Sequence, residues 1–97
     1  MLLAWFDASE ARNFGKTLAD FYIEKIPPNS TDQKKIAKKE QDIINKMIKQ
    51  IAQFKLQHKL NIYKKAQLGN TFKWELRNAG YNTAFTDALT TTLMVAL

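Results

Sequence analysis

The sequence predicts an all-α fold: a helical hairpin with one long basic amphipathic helix, plus two short C-terminal helices packed at its far end. Two observations lead to this fold. Residues 32–65 contain no Gly or Pro and space their apolar residues at helical intervals. The same segment has ten lysines against three acidic residues, which leaves +7, while the whole chain carries +6. One long helix with a basic face accounts for both observations.

Length and composition predict a single helical domain over residues 1–97. The chain is 45% hydrophobic and 25% charged, which is typical of globular proteins rather than of disordered segments. Cysteine is absent, so disulfides, thiolate metal sites and cysteine nucleophiles are excluded. No apolar run approaches the roughly 20 residues that a membrane span needs. The opening apolar run also lacks the basic start of a secretory signal, so we expect a cytoplasmic protein with no membrane partner.

The first predicted helix covers residues 7–26. Residues 7–10 have the form of a capping box, in which Asp7 accepts from the backbone near Glu10 and Glu10 reaches back to the cap. An aromatic-rich stripe follows and ends at Pro27. Its members are Phe14, Leu18, Phe21, Tyr22 and Ile26. Gly15 lies inside this helix, where it is either tolerated or lets another backbone approach closely.

The second predicted helix covers residues 31–66 and spans roughly 50 Å at 1.5 Å per residue. Ser30, Thr31 or Asp32 can cap it. Its isoleucines, with Met47 and Phe54, fall on one arc of the helix and most of its lysines on another. Because the connection to the first helix is short, the two stripes should face each other in an antiparallel hairpin. Part of so long a helix should project from the domain or be covered by a second copy.

Beyond Phe54 the apolar pattern changes phase, because Leu56, Leu60 and Tyr63 form a stripe rotated from the earlier one. The helix either kinks near residues 57–61 or continues while the C-terminal segments wrap around it. No Gly or Pro marks a break, so the sequence favours a continuous helix.

Two shorter helices are predicted after a stop at residues 68–70. The third covers residues 71–79 and ends at Gly80, and Asn82 or Thr83 caps the fourth. The β-branched run at residues 90–92 leaves an extended segment as an alternative to the end of this helix.

The sequence supplies few groups for catalysis. His58 is the only histidine and falls on the apolar arc, which favours a packing or interface role. The carboxylates do not pair convincingly, and the three glycines are isolated rather than forming a phosphate loop. We therefore predict no enzyme activity, catalytic residue, metal or cofactor. An exception would arise if His58 and carboxylates converged in a cavity.

The lysine face has two interpretations. Lysines on a helix usually form a solvated face, and they also give non-specific, salt-dependent binding to nucleic acid. Six residues are the candidate contacts to nucleic acid or another anionic partner: Lys34, Lys35, Lys38, Lys39, Lys46 and Lys49. Only two of the basic residues are arginines, which disfavours base-specific reading.

More apolar surface is present than the short helices can cover, which favours self-association. The candidate interface residues are Trp5, Phe6, Leu56, His58, Leu60, Tyr63 and Trp74. Trp74 lies nearly opposite the apolar stripe of its own helix, and Trp is enriched among binding hot spots. The sequence thus predicts a small non-enzymatic interaction module that forms a homodimer and binds an unidentified macromolecule. Nucleic-acid binding through the lysine face is the alternative.

Overall fold

In the computed structural model, which describes residues 6–97, four α-helices make up most of the chain. In chain order they are α1 (Ser9–Lys25), α2 (Gln33–Gln57), α3 (Ile62–Ala79) and α4 (Thr83–Met94). No strand occurs among the described residues. The predicted all-α class is therefore confirmed. Within the same residues, no helix combines the length and the apolar character needed to cross a bilayer.

Polar side chains fix the starts of three helices. Asp32, Asn61 and Asn82 each accept a hydrogen bond from the backbone N–H three residues later, at 3.2, 2.8 and 3.2 Å. Each bond satisfies one of the N–H groups that has no partner within the helix. These caps define where α2, α3 and α4 begin.

The start of α1 differs from the predicted capping box. Asp7 Oδ1 accepts from the backbone N–H and the hydroxyl of Ser9, at 3.1 and 2.8 Å. Glu10 turns away from the cap, and its Oε2 lies 2.6 Å from Nδ1 of His58. The predicted reciprocal bond is wrong because Glu10 has this partner from a distant part of the chain.

The prediction of one continuous helix to residue 66 is also wrong, since α2 ends at Gln57 and α3 begins at Ile62. His58 is extended at φ −135° and ψ 129°, and Asn61 at φ −91° and ψ 177°. The break needs neither Gly nor Pro because Asn61 supplies a new cap. It also lets α3 bury an apolar stripe of its own, formed by Leu68, Phe72 and Leu76.

The third helix therefore starts well before residue 71, and the predicted stop at residues 68–70 is wrong. Gly69 lies inside α3, where a Cβ atom would be 2.6 Å from Sδ of Met94 in α4. Its missing side chain leaves room for the methionine. The predicted end at Gly80 is confirmed by its left-handed backbone, at φ 107°.

Helices α1 and α3 run in parallel and approach each other closely. A Cβ atom on Gly15 would lie 2.5 Å from the backbone oxygen of Leu68, a separation that real side chains do not reach. About two turns further along α1, the ring centroids of Tyr22 and Tyr81 are 5.7 Å apart. Of the two roles predicted for Gly15, the close approach of another backbone is the one observed.

Helices α2 and α4 run in the opposite direction, which completes an up-down-up-down bundle. The rings of Phe14 and Phe54 stack at 4.3 Å, so the start of α1 lies beside the end of α2. The end of α4 reaches the middle of α3 through Met94. The predicted hairpin made α2 the main partner of α1, but the closest backbone partner of α1 is α3. Small residues on α1 allow this approach, whereas the bulky rings hold α2 further away.

The core lies between all four helices. Its largest fully buried side chains are Tyr22, Phe72, Leu18, Met47, Ile51, Leu76 and Thr86.

The β-branched run at residues 90–92 is helical, so the extended segment considered as an alternative does not form. The hydroxyls of Thr90, Thr91 and Thr92 donate to the carbonyl oxygens four residues earlier, at 2.7 to 3.0 Å. These bonds satisfy the hydroxyl groups within the helix.

Candidate functional site

The six predicted lysine contacts all lie on the exposed side of α2. The ammonium of Lys46 pairs with Asp42 at 3.1 Å, one helical turn earlier. Within residues 6–97, no acidic side chain pairs with the other five. The opposite side of α2 contributes Ile43, Met47 and Ile51 to the core. The lysine face is therefore an open basic surface on a helix whose apolar side is already occupied.

His58 lies at the break between α2 and α3 and is half-buried. Its ring stacks on Phe54 with centroids 4.4 Å apart, and Phe54 in turn stacks on Phe14. With Nδ1 of His58 2.6 Å from the Glu10 carboxylate, the imidazole connects α1 to the break. These contacts pack the His58 ring against α1 and the end of α2.

A cavity of about 250 Å³ opens beside this pair. Asp7 and Glu10 line it, as do Lys59 and Lys64, so its charges are mixed. Hydrogen bonds from Ser9 lower the pKa of Asp7, with a smaller contribution from the positive charge of Lys64. His58 and two carboxylates thus line one cavity. This is the arrangement that the sequence analysis gave as the exception to its prediction of no enzyme activity. The lining has no hydroxyl or thiol side chain, and its imidazole, carboxylates and ammonium groups are of the types that take part in acid–base chemistry.

Four other predicted interface residues lie near the same end of the bundle. Phe6 and Tyr63 meet edge to face, with centroids 5.4 Å apart. Leu60 and Tyr63 are half-buried and pack against the core. Leu56, by contrast, is 82% exposed. Trp5 lies outside the described residues.

Two further exposed apolar residues were missed by the sequence analysis. Ile62 and Val95 are each 84% exposed. Ile62 follows the cap of α3, whereas the pattern placed it on the apolar arc of a continuous helix. Val95 directly follows the end of α4, and the adjacent Ala96 carbonyl accepts a hydrogen bond from Lys55 Nζ at 3.2 Å. The break brings Ile62 to the same end as Leu56, whereas the end of α4 lies beside the middle of α3.

Trp74 lies apart from that end, on the outer side of α3. It is 54% exposed, and the guanidinium of Arg77 lies over its ring at 5.1 Å. Arg77 also pairs with Asp87 of α4 at 3.1 Å. The tryptophan is thus accessible, with one face covered by a side chain that ties α3 to α4.

Within residues 6–97, no group of three or more His, Asp or Glu side chains is arranged to hold a metal ion. The described residues thus offer two notable surfaces: the basic side of α2 and the apolar end of the bundle. Comparisons of this chain with protein-family models, curated proteins and solved structures found no match.

Proposed function

We propose that this protein is a non-enzymatic helical interaction module that self-associates as a homodimer and binds a macromolecular partner. The observation that carries the proposal is the exposure of Leu56 and Ile62 at one end of the bundle. These side chains lie on the two sides of the α2–α3 break, at the end of one helix and the start of the next. Their burial against another molecule would stabilise an assembly by about 1.5–3 kcal/mol for each side chain fully covered.

The charges around this apolar end support a second copy of the chain as its partner. Asp7 and Glu10 lie at the same end as Lys59 and Lys64. A two-fold axis places the same surface on both sides of an interface, so a patch of one sign would repel itself. A patch with both signs can pair acidic groups of one copy with lysines of the other.

The proposal assigns a structural role to the contact between Glu10 and His58. The imidazole is held by a carboxylate on one edge and by the Phe54 ring on its face. Such contacts at a helix break position the chain for packing.

Self-association is tested by sedimentation velocity over a range of concentrations. We expect the wild-type chain to dimerise. Leu56→Glu should raise the protein concentration at which half of the chains are dimeric by at least tenfold, because it places a charge in the apolar interface. Ala37→Glu is the matched control, since it adds the same charge to another exposed position of α2 and should leave the midpoint unchanged. A wild-type monomer at high micromolar concentration would remove the main support for the proposal.

The alternative function is non-specific nucleic-acid binding by the lysine face. The observation favouring it is that five exposed lysines on one side of α2 have no acidic partner among residues 6–97. Titration of duplex and single-stranded DNA at two salt concentrations tests it, since contacts to phosphates weaken steeply as salt rises. Absence of binding at low salt would exclude this alternative.

A further inference from the structure

At the end of the bundle opposite the apolar end, the turn between α1 and α2 forms a groove with two adjoining parts. The first part has a volume of about 360 Å³ and a largely apolar floor that includes Ile26 and Ile36. Lys25, Lys35 and Lys39 line it. Lys35 and Lys39 are one helical turn apart on α2, so both ammonium groups can reach the same side of the floor.

The second part has a volume of about 320 Å³ and is lined by aromatic residues. Tyr22 comes from α1, Tyr81 from the turn after α3, and Phe85 from α4. Ile26 and Ile36 line both parts, so the two depressions adjoin at these side chains. Together they offer an aromatic surface at one end, where the charge of Glu40 also acts on Tyr22, and ammonium groups at the other.

The charge of the basic part is unbalanced. Asp32 is the acidic residue in its lining, and its Oδ1 is already engaged by the backbone N–H of Lys35 as the cap of α2. Lys25 Nζ lies 5.8 Å from the centre of the Phe21 ring. Among residues 6–97, no carboxylate pairs with Lys25, Lys35 or Lys39. A ligand that brings carboxylates would supply the missing charge.

We infer that this groove binds a short acidic segment of a partner protein, with an aromatic or branched apolar side chain beside its carboxylates. The apolar side chain would cover the aromatic part, and the carboxylates would meet Lys35 and Lys39. Alternate residues of an extended chain are about 6.6 Å apart, close to the 5–6 Å between neighbouring positions on a helix. Two carboxylates spaced by one residue therefore match the two lysines. This inference names the partner chemistry for the proposed interaction role and rests on that role.

The probe is a short fluorescent peptide in which two Asp flank a Leu and a Phe lies nearby. Fluorescence anisotropy should show saturable binding by the full-length protein. Two control peptides divide the contributions: one replaces Leu and Phe by Ser, and the other replaces both Asp by Asn. Each should bind at least tenfold more weakly than the probe, because the groove needs both kinds of contact.

The protein variants locate the binding. Lys35→Glu with Lys39→Glu should weaken peptide binding at least tenfold. The matched control, Lys38→Glu with Lys49→Glu, makes the same change of charge on exposed positions of α2 outside the groove and should alter binding less than threefold. Circular dichroism checks that both double variants remain helical.

Three results would overturn the inference: no binding of the probe, equal loss in both double variants, or equal binding of the serine-substituted peptide. A single-stranded oligonucleotide provides a further comparison. If it binds the wild-type protein tightly and both double variants lose that binding equally, the result would favour the nucleic-acid alternative. Sedimentation of the same samples separates the two proposals. A dimer without peptide binding contradicts only the groove, whereas a wild-type monomer contradicts the proposed self-association.

Discussion

His58 connects three segments that lie far apart in the chain. Its ring stacks on Phe54, which stacks on Phe14, and its Nδ1 meets Glu10 at the start of α1. Stacked rings gain attraction beyond the burial of their area, and a carboxylate fixes the orientation of an imidazole. One side chain thereby holds the break between α2 and α3 against the first turn of α1.

Tyr81 has the corresponding position at the other end. Its hydroxyl donates a hydrogen bond to the carbonyl oxygen of Ile26, which joins the turn after α3 to the end of α1. Burial raises the pKa of Tyr81 to about 12, and burial also raises the pKa of the neighbouring Tyr22. Both phenols are thus held in the protonated form, and ionisation of either would place a charge among aromatic rings.

These pKa shifts predict a loss of stability at alkaline pH. Because the folded pKa of Tyr81 lies above its ordinary value of 10.0, its contribution is fully present below pH 10. That contribution is lost as the pH rises towards 12. Urea unfolding at pH 9 and pH 11, followed by circular dichroism, should show a larger loss for the wild-type protein than for Tyr81→Phe. Lysine ionisation is common to both proteins and cancels in the difference. Equal losses of stability in the two proteins would contradict a contribution from the raised pKa of Tyr81.

The α2–α3 break illustrates how elements are decided by packing. A helix continued through residues 58–61 would carry two apolar stripes on different sides, and it could not bury both against α1. Breaking it costs a few backbone hydrogen bonds, and the Asn61 cap restores one of them. The turn then allows α3 to lie parallel to α1 at close range, where Leu68, Phe72 and Leu76 are buried.

Two glycines within helices serve the packing of elements in different ways. Gly15 faces backbone, since its added Cβ would lie 2.5 Å from the Leu68 oxygen. Gly69 faces the flexible end of Met94 at 2.6 Å. A backbone can retreat only by separating α1 from α3, whereas the thioether can adopt another rotamer.

This contrast predicts opposite effects for the same substitution. Gly15→Ala should lower the free energy of unfolding by about 1–3 kcal/mol, because overpacking outweighs the helix propensity gained. Gly69→Ala is the matched comparison. It should leave the free energy of unfolding unchanged or raise it by up to about 1 kcal/mol. Urea unfolding curves of the two variants measure both effects. If Gly15→Ala proves as stable as Gly69→Ala, the close approach of α1 and α3 is not as described.

The whole molecule is elongated, with principal extents of 49 × 24 × 19 Å. Its two ends differ in chemistry, since one gathers exposed aliphatic side chains with mixed charges and the other combines an aromatic surface with lysines. The basic side of α2 runs between them. An interface at the apolar end would leave the groove accessible on both copies of a dimer, so the proposed self-association and partner binding are compatible.

Much of the molecule could be predicted from local patterns. Residues within one or two turns indicate the helical class, the stop at Gly80 and the division of α2 into a lysine side and an apolar side. They also narrowed the caps to three candidates that include Asp32 and to two that include Asn82. The sites were less accessible, because Glu10 and His58 are 48 positions apart and no short motif joins them. The groove is likewise assembled from α1, α2, α4 and two turns.

The sequence by itself determined that the chain is helical and where its charge lies, because helix periodicity and capping are set by neighbouring residues. Only the tertiary structure decided that residues 31–66 divide, that α1 pairs most closely with α3, and that Leu56 and Ile62 are left exposed beside the break. Those outcomes depend on contacts between distant segments. The same apolar stripes can be buried in alternative ways, and the arrangement with the lowest free energy forms. The sequence of a single helix does not determine which arrangement that is.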